Sequence, residues 1–186
     1  MSPLPISQMQ EAGKALEATQ NELYVSLAKA LDAWAVIEAH LCSIFAVAVT
    51  ATDYSAAAAA FSAILSFEAQ IDMVHASMGR RFAPNSPEYS SWKTIRKKLD
   101  KLRPARNRLA HGKVVPVVMK GGGMEFRYLP FYHFFTHKER DEFMHLTARD
   151  VKAIEAEFRG MIVAVHALGE SIGAQQHIKS GKPLPR

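Results

Sequence analysis

The chain has a single cysteine, Cys42, so no internal disulfide can form, and its thiol content gives no sign of an oxidising compartment. Set in an apolar helical stretch, Cys42 reads as core rather than as a nucleophile. Long apolar runs are missing too. The most apolar segment, Trp34 to Ala51, is broken by Glu38 and His40. Its longest clean part, Leu41 to Ala51, falls well short of the about 20 residues a spanning helix needs, so no membrane partner is expected. Met1 to Gln10 holds no basic stretch followed by an apolar run; no signal peptide is expected, and the expected location is cytoplasmic. Walker and Rossmann glycine patterns are absent, because Gly121-Gly122-Gly123 is followed by strand-like residues, and there is no serine-centred hydrolase elbow. Neither a nucleotide cofactor nor a resident metal is expected.

What the chain does have is ordinary globular composition and an uneven charge. Its 186 residues, 48% hydrophobic and 22% charged, suit one domain with a sizeable core. Net charge is +5, but nine basic residues fall between Lys93 and Lys113 with only Asp100 against them. That segment is +8, which leaves the rest of the chain net acidic by three. Such a local field attracts a polyanion, nucleic acid before membrane; a solvated basic helix face accounts for it equally well.

Periodicity predicts a nearly all-helical chain, an all-α fold of four long helices with one β-hairpin inserted before the last. The first helix is expected from about Ala12 to Val49, with Leu23, Leu27, Leu31, Trp34, Leu41 and Phe45 on one stripe and a possible break near Gly13 or Asn21. Thr52-Asp53 offers the cap for a second helix running to about Met78, its broad face formed by Phe61, Ile64, Leu65, Glu68, Ile71, Asp72 and His75. Ser86-Pro87 starts a third that reaches about His111, with Gly112 as its C-terminal cap and Pro104 expected to kink or split it. Val114 to Met119 and Glu125 to Phe135 read as a hairpin over about 114–135, its prolines Pro116 and Pro130 suited to edge positions. Thr147-Ala148-Arg149-Asp150 resembles a capping box, after which Val151, Ile154, Phe158, Met161, Val165, Leu168 and Ile172 step by three and four along a packing seam. A single domain over residues 1–174 is expected, followed by a disordered tail over 175–186.

One residue breaks the pattern. On the third helix Ile95, Leu99, Leu102 and Leu109 share a stripe, and Arg106 lies in the middle of it. A guanidinium is costly to bury unpaired. Arg106 therefore bridges a core carboxylate, with Glu38 as candidate partner within its own helix's stripe, or sits at a subunit interface, or lines a cleft that binds an anion. Arg108, two positions on, is expected to face away. His111 is four residues after Asn107, so the amide could orient the imidazole. Arg106 and His111 stand about 140° apart on a regular helix and converge only if the helix ends near His111 or a second chain supplies a copy.

Arg106-Asn107-Arg108-Leu109-Ala110-His111-Gly112 resembles the arginine, polar residue, short spacer, histidine signature of HEPN domains. The Trp34-Ala35-Val36-Ile37-Glu38 and Phe67-Glu68-Ala69-Gln70-Ile71-Asp72 segments resemble earlier helices of bacterial members, so the likeness spans roughly Glu22 to Leu168. It implies a four-helix bundle of HEPN type and a metal-independent endoribonuclease acting as a homodimer, with a toxin or anti-phage role and an antitoxin protein as a partner. Arg106, Asn107 and His111 would be the catalytic set, with Glu38 in support. Lys97, Lys101, Arg103, Arg108 and Lys113 would hold the RNA backbone. The alternative is a non-catalytic helical module that binds nucleotide or RNA, or only dimerises. Some members carry a modifiable tyrosine two residues after the histidine; Lys113 stands there, so that form of control is not expected.

Two further clusters give weaker signals. His133 and His137 fall in a strand-like run, where four positions mean about 13 Å of separation, so with His145 they make a poor metal site. Glu68, Asp72 and His75 share a helix face and read as a polar network rather than metal ligands.

Overall fold

A computed structural model describes residues 6–120, 123–130 and 145–180, with the side chains of 6, 9 and 175–180 left aside. The described chain is mostly helical. Its elements are α1 (Ile6–Ala48), α2 (Tyr54–Ser62), α3 (Phe67–Arg81), α4 (Pro87–Ala110), β1 (Gly112–Val118), β2 (Met124–Pro130) and α5 (Ala148–Ser180). Residues cluster into two compact units, Met1–Asp32 with Pro104–Glu157 and Ala33–Arg103 with Phe158–Arg186.

The second unit holds the larger apolar core. Trp34 of α1, 2% exposed, meets Phe67 of α3 at 4.6 Å between ring centroids and Phe158 of α5 at 4.9 Å. Its indole N–H donates to Glu38 Oε1 at 2.8 Å, one helical turn on, which satisfies a polar group that burial would otherwise strand. Ile37, Leu41 and Ile44 of α1, Ile71, Val74 and Met78 of α3 and Trp92 and Leu99 of α4 complete the core with the α5 seam. That seam follows the heptad reading: Phe158, Val165 and Ile172 are fully buried and Met161 and Leu168 nearly so. Between Gln10 and Ala48, α1 is long and apolar enough to cross a membrane, and in this fold it is also the main core helix.

Local chemistry explains the helix ends. Thr50 takes the left-handed conformation (φ 54°), and the N–H groups of Thr50 and Ala51 close back on Val47 and Ala46 to finish α1. Arg81 Nη1 donates to Val47 C=O at 2.8 Å, so α3 supplies a cation to the end of α1. Asp53 caps α2 through Ser55 N–H and Ala56 N–H. The single helix expected from residue 53 to about 78 is in fact two. Ser66 Oγ accepts from Ala69 N–H to start α3 anew, and Gln70 Nε2 donates to Ile64 C=O across the break. Leu65, expected on the apolar face, is consequently 98% exposed. α1 runs without interruption past Gly13 and Asn21, and α4 continues as one helix through Pro104. At the other end of the chain α5 runs to Ser180, and residues 181–186 lie outside the described residues.

The first unit is built on a hairpin. β1 and β2 pair antiparallel from Gly112↔Pro130 to Val118↔Met124. Met119 N–H donates to Gly123 C=O at 2.7 Å, which puts the bonded pairs on odd positions and leaves Pro116, opposite Phe126, where no ladder N–H is required. The strand expected to reach Phe135 ends at Pro130 among the described residues, and Gly121 and Gly122 of the expected turn lie outside them. Tyr128 exchanges two backbone hydrogen bonds with Leu146, at 2.8 and 2.9 Å. The capping box forms as read: Asp150 Oδ2 accepts from Thr147 N–H at 2.9 Å and Thr147 Oγ1 accepts from Asp150 N–H at 3.3 Å. Lys152 reaches Glu22 at 2.6 Å, and Leu23, Ala30, Leu109, Tyr128 and Val151 are buried.

Candidate functional site

Arg106, Asn107 and His111 all belong to the first unit, at the end of α4. The apolar stripe is there as expected: Leu109 is 2% exposed, and Arg106 in the same stripe is half-buried. Arg106 Nη1 donates to Asn107 Oδ1 at 3.4 Å, a long bond between neighbours. Asn107 was expected to position either His111 or the scissile phosphate. Its carbonyl oxygen is instead turned to the arginine.

His111 lies one residue beyond α4 and one before β1, and its side chain is exposed. α4 thus ends before His111, the condition that the 140° spacing set for any convergence with Arg106. Gly112 is not a helix cap. It is the first residue of β1, and a Cβ there would stand 2.5 Å from Leu129 C=O and 2.7 Å from the Tyr128 ring. Close approach of β2 therefore demands glycine beside the histidine.

The basic residues divide by role. Lys97 and Lys101 in the second unit and Lys113 in the first are exposed. Arg103 is spoken for, with Nη1 2.9 Å from Glu68 on α3, and Arg96 pairs with Asp72 at 2.8 Å. Arg108 departs from expectation: rather than facing away, it is half-buried, and its Nε is enclosed without a hydrogen-bond partner among the described residues. The carboxylates of Glu68 and Asp72 thus serve α4 rather than each other. The readable signal for this was the four-residue spacing on α3 facing the seven-residue spacing of Arg96 and Arg103. His75 accepts from the Trp92 indole N–H through Nδ1 at 3.1 Å, stacks on Tyr89 and has its pKa lowered by burial and by Arg96. Among the described residues no group of three or more metal-ligating side chains gathers; His133 and His137 lie outside them. Cys42 is buried, which raises its pKa and suits the core role.

Tyr128 went unnoticed in the sequence, where nothing but its place in a strand alternation marks it. It is 5% exposed, and its hydroxyl donates to Leu109 C=O at 2.7 Å. Comparison with family models gives no match, and neither do comparisons with curated proteins and with solved structures.

Proposed function

We propose that this chain is a metal-independent endoribonuclease of HEPN type, built on that family's four-helix bundle and acting in the cytoplasm as a homodimer whose two motifs line one cleft. A toxin or anti-phage role, with an antitoxin protein as a partner, belongs to the same reading. The observation that carries it is a guanidinium half-buried in an apolar stripe, bonded to Asn107 and followed at the helix end by an exposed imidazole. RNA supplies its own nucleophile. The 2′-oxygen attacks phosphorus as one His111 takes its proton, and the bond to the 5′-oxygen breaks as the second His111 protonates that oxygen, leaving a 2′,3′-cyclic phosphate. Arg106 holds the phosphate and offsets the charge that builds in the transition state, and Asn107 holds Arg106 in place. Lys97, Lys101, Arg108 and Lys113 hold the RNA backbone, with Arg103 joining when RNA displaces Glu68.

The test is cleavage of end-labelled single-stranded RNA in EDTA by wild type, Arg106→Ala and His111→Ala, each shown to be folded. Cleavage by wild type alone, ending in cyclic phosphate, is the expected result; cleavage that survives His111→Ala overturns the mechanism, and a strict monomer in sedimentation overturns the shared cleft. A second reading, a non-catalytic module that binds RNA or nucleotide, is favoured by the engagement of the Asn107 oxygen with Arg106 rather than with His111. Such a module keeps its RNA affinity in His111→Ala.

A further inference from the structure

His111 is the one member of the candidate set outside a regular element, flanked by Ala110, the last residue of α4, and Gly112, the first of β1. Something other than Asn107 must fix it. The last four carbonyls of a helix have no partner within it, and Leu109 C=O is among these in α4. Tyr128 donates its hydroxyl to that carbonyl at 2.7 Å from a nearly fully buried position. The same ring closes over Gly112 so tightly that a Cβ there would lie 2.7 Å away. Its own backbone lies opposite Val114 in the hairpin and is held from the outer side by two hydrogen bonds to Leu146, just before the capping box of α5. One side chain thus grips the residues two before and one after His111.

We propose that Tyr128 is the positioning residue for His111, and that the hairpin exists at this point of the chain to carry it. It acts through the backbone: the hydroxyl sets where α4 stops, the ring sets the path of Gly112, and together they fix the direction in which the imidazole leaves the chain. The inference rests on the ribonuclease reading for its catalytic meaning, but its geometric content is independent of that reading.

The experiment follows the His111 ring by NMR, titrating its resonances in the full-length chain, alongside kcat and KM for metal-free RNA cleavage. Tyr128→Phe removes only the hydroxyl. Gly112→Ala displaces the ring while keeping the hydroxyl. Val151→Ala, in a buried position of α5 in the same unit, is the control for stability loss alone. Both test variants are expected to shift or broaden the His111 ring resonances and to lower kcat by roughly tenfold to a hundredfold with KM within about twofold, as misplacement of a reacting group does. Val151→Ala should lower the melting temperature and leave those resonances in place. Unchanged His111 resonances in folded Tyr128→Phe overturn the proposal, as does an equal change in Val151→Ala. If wild type cleaves no RNA while the test variants alone move the resonances, the ribonuclease reading falls and the positioning role stands.

Discussion

Gly112→Ala is a stability test in which two opposed effects can be weighed from the structure. Glycine to alanine, where alanine can adopt the backbone without strain, stabilises by about 0.4–1 kcal/mol, because the unfolded chain loses freedom. The φ of Gly112 lies outside the left-handed region, so backbone conformation alone would favour alanine. The contact decides otherwise. The new Cβ would sit 2.5 Å from Leu129 C=O, 2.7 Å from one Tyr128 ring atom and 2.8 Å from another, and the first of these is backbone in a paired strand. Relieving it means moving β2 away from β1 or tilting a buried tyrosine whose hydroxyl is already bonded. Overpacking of this kind costs about 1–3 kcal/mol, which outweighs the entropic gain. At about 2–4 °C per kcal/mol for a chain of this length, the melting temperature should fall by several degrees. Gly160→Ala is the matched control: it lies inside α5 with nothing within 4 Å of the added atom, and should gain about 0.5–1 kcal/mol. Thermal and urea unfolding of both variants checks the pair. A Gly112→Ala protein as stable as wild type, or more so, would refute the tight passage of β2 over residue 112.

Three further outcomes are expected. Stability should fall with acid through His75: its folded pKa lies below 6.5, so the unfolded state binds more protons there, and the contribution is full above that value and lost as pH falls through the folded one. His75→Phe should flatten that slope in pH-dependent urea unfolding and, by stranding the N–H of fully buried Trp92, cost about 1–3 kcal/mol at neutral pH. Asp150→Ala should cost about 1 kcal/mol by opening the α5 capping box, and because Thr147 holds the Asp150 carboxyl below 3.8, wild type should lose this advantage only as pH drops below that value. In RNA binding, Lys101→Ala should reduce the slope of log K against log salt by about 0.7, whereas Arg103→Ala should change it less, since Arg103 exchanges Glu68 rather than a mobile counterion for phosphate; equal changes would show the ion pair to be irrelevant.

The long helices were legible because each carries a single strong period. Val151 to Ile172 kept its spacing down to the buried side chains, and Thr147 and Asp150 announced where that helix begins. The division of α2 from α3 was hidden because Ala56 to Ala60 favours helix and the apolar period runs through Phe61 and Ile64 into Ile71. Only Ser66, followed by Phe67 and Glu68, marked the new start, and one capping serine inside a helical pattern is a weak mark. Pro104 misled in the other direction. Proline tends to break a helix, yet α4 continues through Pro104, with Leu99 buried before it and Leu109 buried after it.

At the site, the residues that a helical wheel could place were placed, and those set by distant strands were not. Arg106 in the apolar stripe followed from the period of α4 alone. Gly112 looked like a cap because glycine after a helix usually is one, yet its requirement comes from Leu129 and Tyr128, at least sixteen residues away in sequence. The same limit applies to charge. A count of nine cations overstates the field of residues 93–113, because Asp72 and Glu68 neutralise Arg96 and Arg103 from another helix, and Arg108 is half-buried. The exposed positive charge of this segment is therefore carried mainly by lysines, and on the ribonuclease reading the RNA backbone would be held largely through flexible ammonium groups rather than rigid guanidinium forks. Such holding is sequence-blind. On the same reading, selectivity would have to arise where the geometry is fixed, at Arg106 and at the histidine that we propose Tyr128 positions.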